Sequence, residues 1–129
     1  MFEPLEISRR AYALATYAMT RQAAISANVA NADTPGYKAT DVEDFATAYQ
    51  QGGGMQPRAT RATHLMMPDG EQTFSVAARA MPGNESPNGN TVALEAEMMK
   101  GAEVRASYDM ALAIAKAAGS IVRASLGRR

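Results

Sequence analysis

Two long stretches of the chain repeat their apolar positions in alternating steps of four and three residues. In the first, Ile7, Ala11, Leu14, Ala18, Ile25 and Ala32 fall on the repeat, with Val29 beside it. In the second, Leu94, Met98, Gly101, Arg105, Tyr108, Leu112, Ala115, Gly119, Val122 and Leu126 keep the same steps throughout. A helix returns the same face to a neighbour every three or four residues, so a narrow stripe of this period predicts two helices packed lengthwise, as in a coiled coil. Arg21 and Asn28 occupy stripe positions where an apolar residue is expected; they either weaken the packing or fix its register. Ile114 and Ile121 form a second apolar row, which suggests that the second helix has more than one neighbour.

Punctuation separates the two stripes. Five of the six prolines (Pro35, Pro57, Pro68, Pro82 and Pro87) and seven of the ten glycines lie between Thr34 and Thr91. The first helix is predicted to stop near Asn31 or Ala32, because Pro35 disfavours helical geometry at Thr34 and Gly36 permits a left-handed turn. Asn88-Gly89-Asn90-Thr91 offers turn and capping chemistry ahead of the second helix, and Arg123, Arg128 and Arg129 suit its negative end. The expected organisation is mainly α: an N-terminal helix within residues 1–33, an irregular tract over 34–90 and a C-terminal helix within 91–129. The tract holds one candidate strand, where Phe74, Val76 and Ala78 alternate with Ser75 and Ala77, and a flexible linker at Gly52-Gly53-Gly54. At about 55 residues it is far longer than two packed helices need as a connection.

Composition sharpens this picture. The chain has 129 residues and 47% apolar content, but no Trp, three Phe and five Tyr, and much of the apolar share is Ala. A seam of Ala and Gly buries little area. The first helix has roughly four large stripe residues, worth about 1.5–3 kcal/mol each when fully buried, against about 1–2 kcal/mol of backbone entropy for every residue ordered. A lone pair of such helices has little margin, so the expectation is a weakly stable monomer that orders by packing against further copies. Thirteen basic and thirteen acidic residues cancel, which removes the positive field of a nucleic-acid binder. The absence of Cys excludes disulfides, thiolate metal sites and a thiol nucleophile. The N-terminal stretch, with acids before its Arg pair and no unbroken apolar run, reads as neither a Sec signal nor a membrane anchor.

Candidate chemistry is sparse. His64 is the only histidine, and it has no evident catalytic or metal-binding partner. Asp41, Glu43 and Asp44 lack the Gly and terminal Glu of a calcium loop and read as a solvated acidic face. The triple glycine is followed by no Gly-Lys-Ser/Thr, so it reads as a linker and not a phosphate cradle. Arg58, Arg61 and His64 recur at three-residue spacing and suit an acidic protein partner better than nucleic acid. Met98, Met99 and Met110 are adaptable packing groups on or beside the second stripe. No catalytic, cofactor or metal site is expected, because one His and scattered carboxylates make no convergent polar site. Two readings of the stripes remain: a subunit that polymerises, or a helical adaptor or export chaperone that binds one partner through the same seam.

One motif narrows the choice. The run Ala27-Asn28-Val29-Ala30-Asn31-Ala32-Asp33-Thr34-Pro35-Gly36-Tyr37-Lys38-Ala39 resembles the N-terminal signature of the flagellar rod and hook family of axial proteins. Its motif positions are Asn28, Asn31, Thr34, Pro35, Gly36 and Tyr37. Asn88 to Met98 and the His64-Leu65 pair resemble the proximal-rod branch, with a departure at Ala93, where such chains usually carry an acidic or amide residue. The resemblance implies a structural subunit of the periplasmic rod of the basal body that transmits torque passively. It implies export through the flagellar type III apparatus without a cleaved signal, and contacts with copies of itself, with FliE, FlgC, FlgF and FlgG, and with the export gate. The residues expected to carry assembly are Ile7, Leu14, Ile25, Val29, Leu94, Met98, Tyr108, Leu112, Val122 and Leu126. Phe45 and Tyr49 fit the Phe-x-x-x-hydrophobic spacing of a gate-recognition element, and equally a short amphipathic turn.

Overall fold

The computed structural model describes residues 3–52, 73–79 and 85–127. In chain order the elements are helix α1 (Glu3–Ala30), strand β1 (Thr40–Val42), helix α2 (Phe45–Gly52), strand β2 (Val76–Ala78) and helix α3 (Leu94–Ser125). The architecture is mainly α: two long helices pack against each other, and the small sheet and short helix between them lie against α1. Gly53, Gly54, Arg58, Arg61, His64 and Leu65 fall outside the described residues.

α1 and α3 have 28 and 32 residues, which at about 1.5 Å per residue makes rods of roughly 42 and 48 Å. They run antiparallel: Asn28 near the end of α1 bonds Glu97 in the first turn of α3, and Ile25 packs on Gly101, whose missing Cβ would sit 3.9 Å from Ile25 Cγ2. Ala18, Ile25 and Val104 form the core of the contact, with Tyr108 packed on it.

The interface is lined mainly by small residues. On α3 the buried row is Glu97, Val104, Ala111 and Ala118, one per heptad, alternating with half-buried Gly101, Tyr108, Ala115 and Val122. On α1 it is Ala11, Ala18, Ile25 and Asn28. The stripe predicted for α3 is therefore split. Its members Gly101, Tyr108, Ala115 and Val122 border α1, whereas Leu94, Met98, Arg105, Leu112 and Leu126 are exposed. Small side chains permit close approach of the helix axes, so Ala111, with no exposed surface, packs where a Leu would force the pair apart.

The candidate strand at Val76 to Ala78 forms β2 and pairs antiparallel with β1, with Thr40 opposite Ala78 and Val42 opposite Val76. β1 itself was not evident in the sequence. Asp44 starts α2: its Oδ2 accepts from Ala46 N–H at 3.1 Å and its carbonyl from Ala48 N–H at 2.9 Å, the usual role of an N-terminal Asp. An aromatic cluster holds this layer to α1. The Tyr17 ring meets Phe45 and Phe74 edge-on, each with centroids 5.3 Å apart, and Phe45 lies 5.5 Å from Tyr49. Burial pushes the Tyr17 hydroxyl pKa up, opposed by the Arg21 charge and assisted by that of Asp41.

Candidate functional site: a polar junction at one end of the helix pair

Where α1 ends, the chain turns through residues 31–36 and returns along β1, meeting the start of α3. The turn needs Gly36, whose φ is 73°, a left-handed conformation that strains any residue with a Cβ. Gly36 N–H donates to Asn88 O at 2.9 Å, and Gly89, with φ 79°, crosses so closely that its missing Cβ would lie 3.5 Å from Gly36 Cα. Asn31 closes the turn from inside: its Nδ2 donates to Ala27 O at 2.8 Å and its Oδ1 accepts from the Thr34 hydroxyl at 3.2 Å.

Asn90 joins the two segments. Its Nδ2 lies 2.8–2.9 Å from the carbonyls of Asn31, Ala32 and Thr34, and its Oδ1 accepts from Val92 N–H at 2.7 Å. These carbonyls belong to the turn that follows α1, and a side chain 58 residues from Ala32 gathers them. The N-cap of α3 is Ala93, which makes no side-chain capping bond. The Asn-Gly-Asn-Thr segment thus pins the turn after α1 and supplies no side-chain cap to the start of α3. Thr91 ties in β1 by accepting from Ala39 N–H through Oγ1 at 2.8 Å and donating its own N–H to Tyr37 O at 3.1 Å.

Asn28 is the centre of the junction and has 0% exposure. Its Nδ2 donates to Thr40 O at 2.7 Å and Glu97 Oε2 at 2.9 Å. Its Oδ1 accepts from Thr40 N–H at 2.9 Å, the Thr40 hydroxyl at 3.2 Å and the Tyr37 hydroxyl at 3.4 Å. One side chain on α1 therefore satisfies the backbone of β1 and a carboxylate on α3. Beside it sits a network of two cations and two anions. Arg21 grips Asp41 with Nε and Nη2 at 2.9 and 3.3 Å, and Lys100 reaches Asp41 Oδ2 at 3.4 Å and Glu97 Oε1 at 2.8 Å. Asp41 also accepts from Val42 N–H at 2.8 Å.

Burial alone would raise the Asp41 pKa, but the Arg21 hydrogen bond, the Val42 N–H and the Arg21 and Lys100 charges outweigh it and hold the carboxyl below its ordinary range. Donation to the Asp41 carboxylate chiefly raises the Arg21 pKa in turn. The reading of Asp41 as part of a solvated acidic face is corrected: it is buried, because two cations distant in sequence neutralise it. A cleft of about 310 Å³ adjoins the network, lined among others by Arg21, Asp41, Arg79, Glu97 and Lys100. An ionised Asp bound on both oxygens by cations is a poor proton donor and a poor base near neutral pH. The network locks α1, β1 and α3 in one register.

The structure distributes the residues expected to carry assembly as follows. Ile25 is buried in the helix interface; Leu14, Tyr108 and Val122 are half-buried along it; Ile7, Val29, Leu94, Met98, Leu112 and Leu126 are exposed. Of the motif residues, Asn28, Asn31, Gly36 and Tyr37 make the junction, Thr34 supports it, and Pro35 is exposed. Phe45 and Tyr49 belong to the aromatic cluster. Sequence reasoning missed Asp41, Asn90, Glu97 and Lys100 as junction members. The available signal was Arg21 and Asn28 themselves, since a polar residue on a buried stripe requires polar partners. Among the described residues no cluster of His, Cys, Asp and Glu could hold a metal ion, and no helix is long and apolar enough to cross a membrane.

Comparison with known proteins agrees with the motif. The family described as flagella basal body rod protein matches residues 9–38, which span most of α1, the turn and the start of the return. That match likens the first helix and its turn to the flagellar rod class. Full-length relatives narrow the class: the flagellar basal body rod protein FlgB of Agrobacterium fabrum is 32% identical over 121 residues, covering 88% of this chain and 87% of its own. FlgB of Yersinia ruckeri is 36% identical over 107 residues (73% and 74%), and FlgB of Escherichia coli 33% over 103 residues (71% and 72%). The chain belongs to the FlgB family of flagellar basal body rod proteins and is a component of that rod.

Proposed function

We propose that the chain is a structural subunit of the proximal rod, which polymerises through its terminal helices into a helical tube and transmits torque passively. The observation that carries this reading is the inverted distribution of apolar side chains. Among the described residues the buried apolar side chains are mostly Ala, while Leu5, Tyr12, Met19, Met98, Met110, Leu112, Ile121 and Leu126 are each more than 40% exposed. Water-exposed Leu, Ile and Met along two long helices are a large unspent source of hydrophobic free energy, on the order of 1.5–3 kcal/mol for each side chain that a neighbour covers. Packing against like helices on several sides recovers it. The junction serves this role by holding α1 and α3 at a fixed register, so that every copy presents the same surface. Neighbouring axial proteins, FliE, FlgC, FlgF and FlgG, meet the two ends of such a segment. The export gate engages the chain before it folds, when Phe45 and Tyr49 are free of the Tyr17 cluster.

The test is Leu112→Glu, at an exposed position whose replacement leaves the α1–α3 interface intact. The variant protein keeps wild-type helicity, and cells carrying it assemble no rod beyond this subunit and do not swim. Normal swimming refutes the reading. A discrete small complex at high concentration, in place of progressive association, supports an adaptor instead.

A further inference from the structure

We propose that successive copies join by seating a ridge on one flank of α3 into a groove on the opposite flank of the helix pair. This rests on the polymerisation reading and specifies its surfaces.

The helical period sorts the exposed groups of α3 onto two flanks, with the buried row Glu97, Val104, Ala111 and Ala118 between them. Met98 and Leu112 stand two heptads apart on one flank; Met110, Ile114 and Ile121 stand on the other, all exposed. The first flank is not a surface of α3 alone. An open groove of about 380 Å³ runs beside Glu97, Met98 and Gly101 of α3 and Gln22, Ser26 and Val29 of α1. Ser26 is preceded on its own helix face, one and two heptads earlier, by Met19 and Tyr12, both more than 60% exposed. Exposed apolar side chains on α1 therefore extend the groove's face toward the far end of the pair. The groove borders the interface already formed, since Gly101 and Ile25 line both. A third helix laid there extends an existing seam.

The occupant with the matching shape and charge is the other flank of α3 from a second copy. From Met110 to Ile121 that flank reads Met110, Ile114, Ala117 and Ile121, with no charged group, and it begins at Glu103. The groove flank of α3 carries Arg105, Lys116 and Arg123, all exposed, with Asp109 beside Arg105 at 3.8 Å. The charge on the groove's own lining, Glu97, is already paired with Lys100 at 2.8 Å, so an uncharged ridge meets no open charge there. The Glu103 at the ridge's head suits the net positive flank of α3 beyond the groove. Ridge and groove are different surfaces on opposite sides of one molecule, so the contact is heterologous, and its repetition builds an open helix and not a closed dimer.

The chain has no cysteine, which permits a direct test. The antiparallel register fixed by Asn28 and Glu97 puts Tyr12 at about the height of Ile114, on the other side of the pair, out of reach of an intrachain bridge. The full chain is prepared with Ile114→Cys combined with either Tyr12→Cys or Met19→Cys, concentrated until the reduced protein associates, and mildly oxidised. At least one pairing gives a ladder of trimers and longer species, while each single variant stops at a small fraction of dimer. Ile114→Cys alone cross-linking to dimer as completely as the double variants overturns the proposal. So does the absence of a ladder from both pairings while the reduced proteins still associate, which leaves polymerisation itself standing. Failure of the wild-type chain to associate at all removes both. Independently, Ile121→Lys weakens association at least tenfold with helicity unchanged; wild-type association of that variant also overturns the proposal.

Discussion

Replacing Asn28 by Ala removes the one side chain that bonds all three parts of the junction. Three partners lose a bond: the carbonyl and N–H of half-buried Thr40, and Glu97 Oε2, whose residue is buried at 3% exposure. A buried group left without its partner costs about 1–3 kcal/mol. The three together would reach about 3–9 kcal/mol, and water entering from the adjoining cleft lowers the upper part of that range, so the expected loss is about 3–5 kcal/mol. Against a total stability of about 5–15 kcal/mol for an ordinary domain, this removes most of the margin of the monomer. Urea unfolding followed by far-UV circular dichroism measures it, with exposed Gln50→Ala on α2 as the control that stays within about 0.5 kcal/mol of wild type. Asn28→Asp gives the matching electrostatic result: the new carboxylate cannot donate to Glu97 and repels it, so this variant is weaker near pH 7 than near pH 4, where a protonated Asp donates. An Asn28→Ala protein within about 1 kcal/mol of wild type would refute the assignment of Asn28 as the centre of the fold.

Further predictions concern the ion network, the turn and the seam. Asp41 has a depressed pKa in the folded chain, so below the ordinary Asp value of about 3.9 the unfolded chain binds more protons than the folded one. Its contribution is then complete above that pH and is lost as pH falls through the lower, folded value. Asp41→Asn flattens this acid limb of the stability profile and lowers stability at pH 7, both read from urea midpoints between pH 2 and 7. Gly36→Ala, at φ 73°, lowers stability by about 1–2 kcal/mol through left-handed strain alone, as nothing lies within 4 Å of the added methyl; an unchanged melting temperature contradicts it. Ala111→Leu overfills the helix interface and costs about 1–3 kcal/mol, whereas an equal or raised urea midpoint would show that the helices can separate without penalty.

The two helices were legible because their period is long and regular, and the break at Pro35 and Gly36 because both residues restrict the backbone directly. The face that α3 turns to α1 was only half legible. Leu94, Met98 and Leu112 are the larger residues, so size points to them as the seam, yet the pair closes on Val104, Ala111 and Ala118, where close approach depends on small side chains. Hydrophobicity alone does not rank an Ala row above a Leu row. β1 is three residues, Thr-Asp-Val, whose partner β2 begins at Val76, and no local signal marks such a pairing. Asp41 and Glu97 look like surface acids until Arg21, Lys100 and Asn28 are brought to them by the fold. The motif residues were recognisable as a set, but their physical reason lies in contacts across more than 50 residues, such as Asn90 to the turn after α1.

The central claim is that the helix pair draws its stability from neighbouring copies. Thermal melting of the full chain across a thousandfold range of concentration, with sedimentation at each point, addresses it directly. A melting temperature that climbs with concentration alongside growing assemblies is the predicted result, because association with the folded state alone shifts unfolding by mass action. A single high melting temperature, independent of concentration in a chain that stays monomeric, would contradict it.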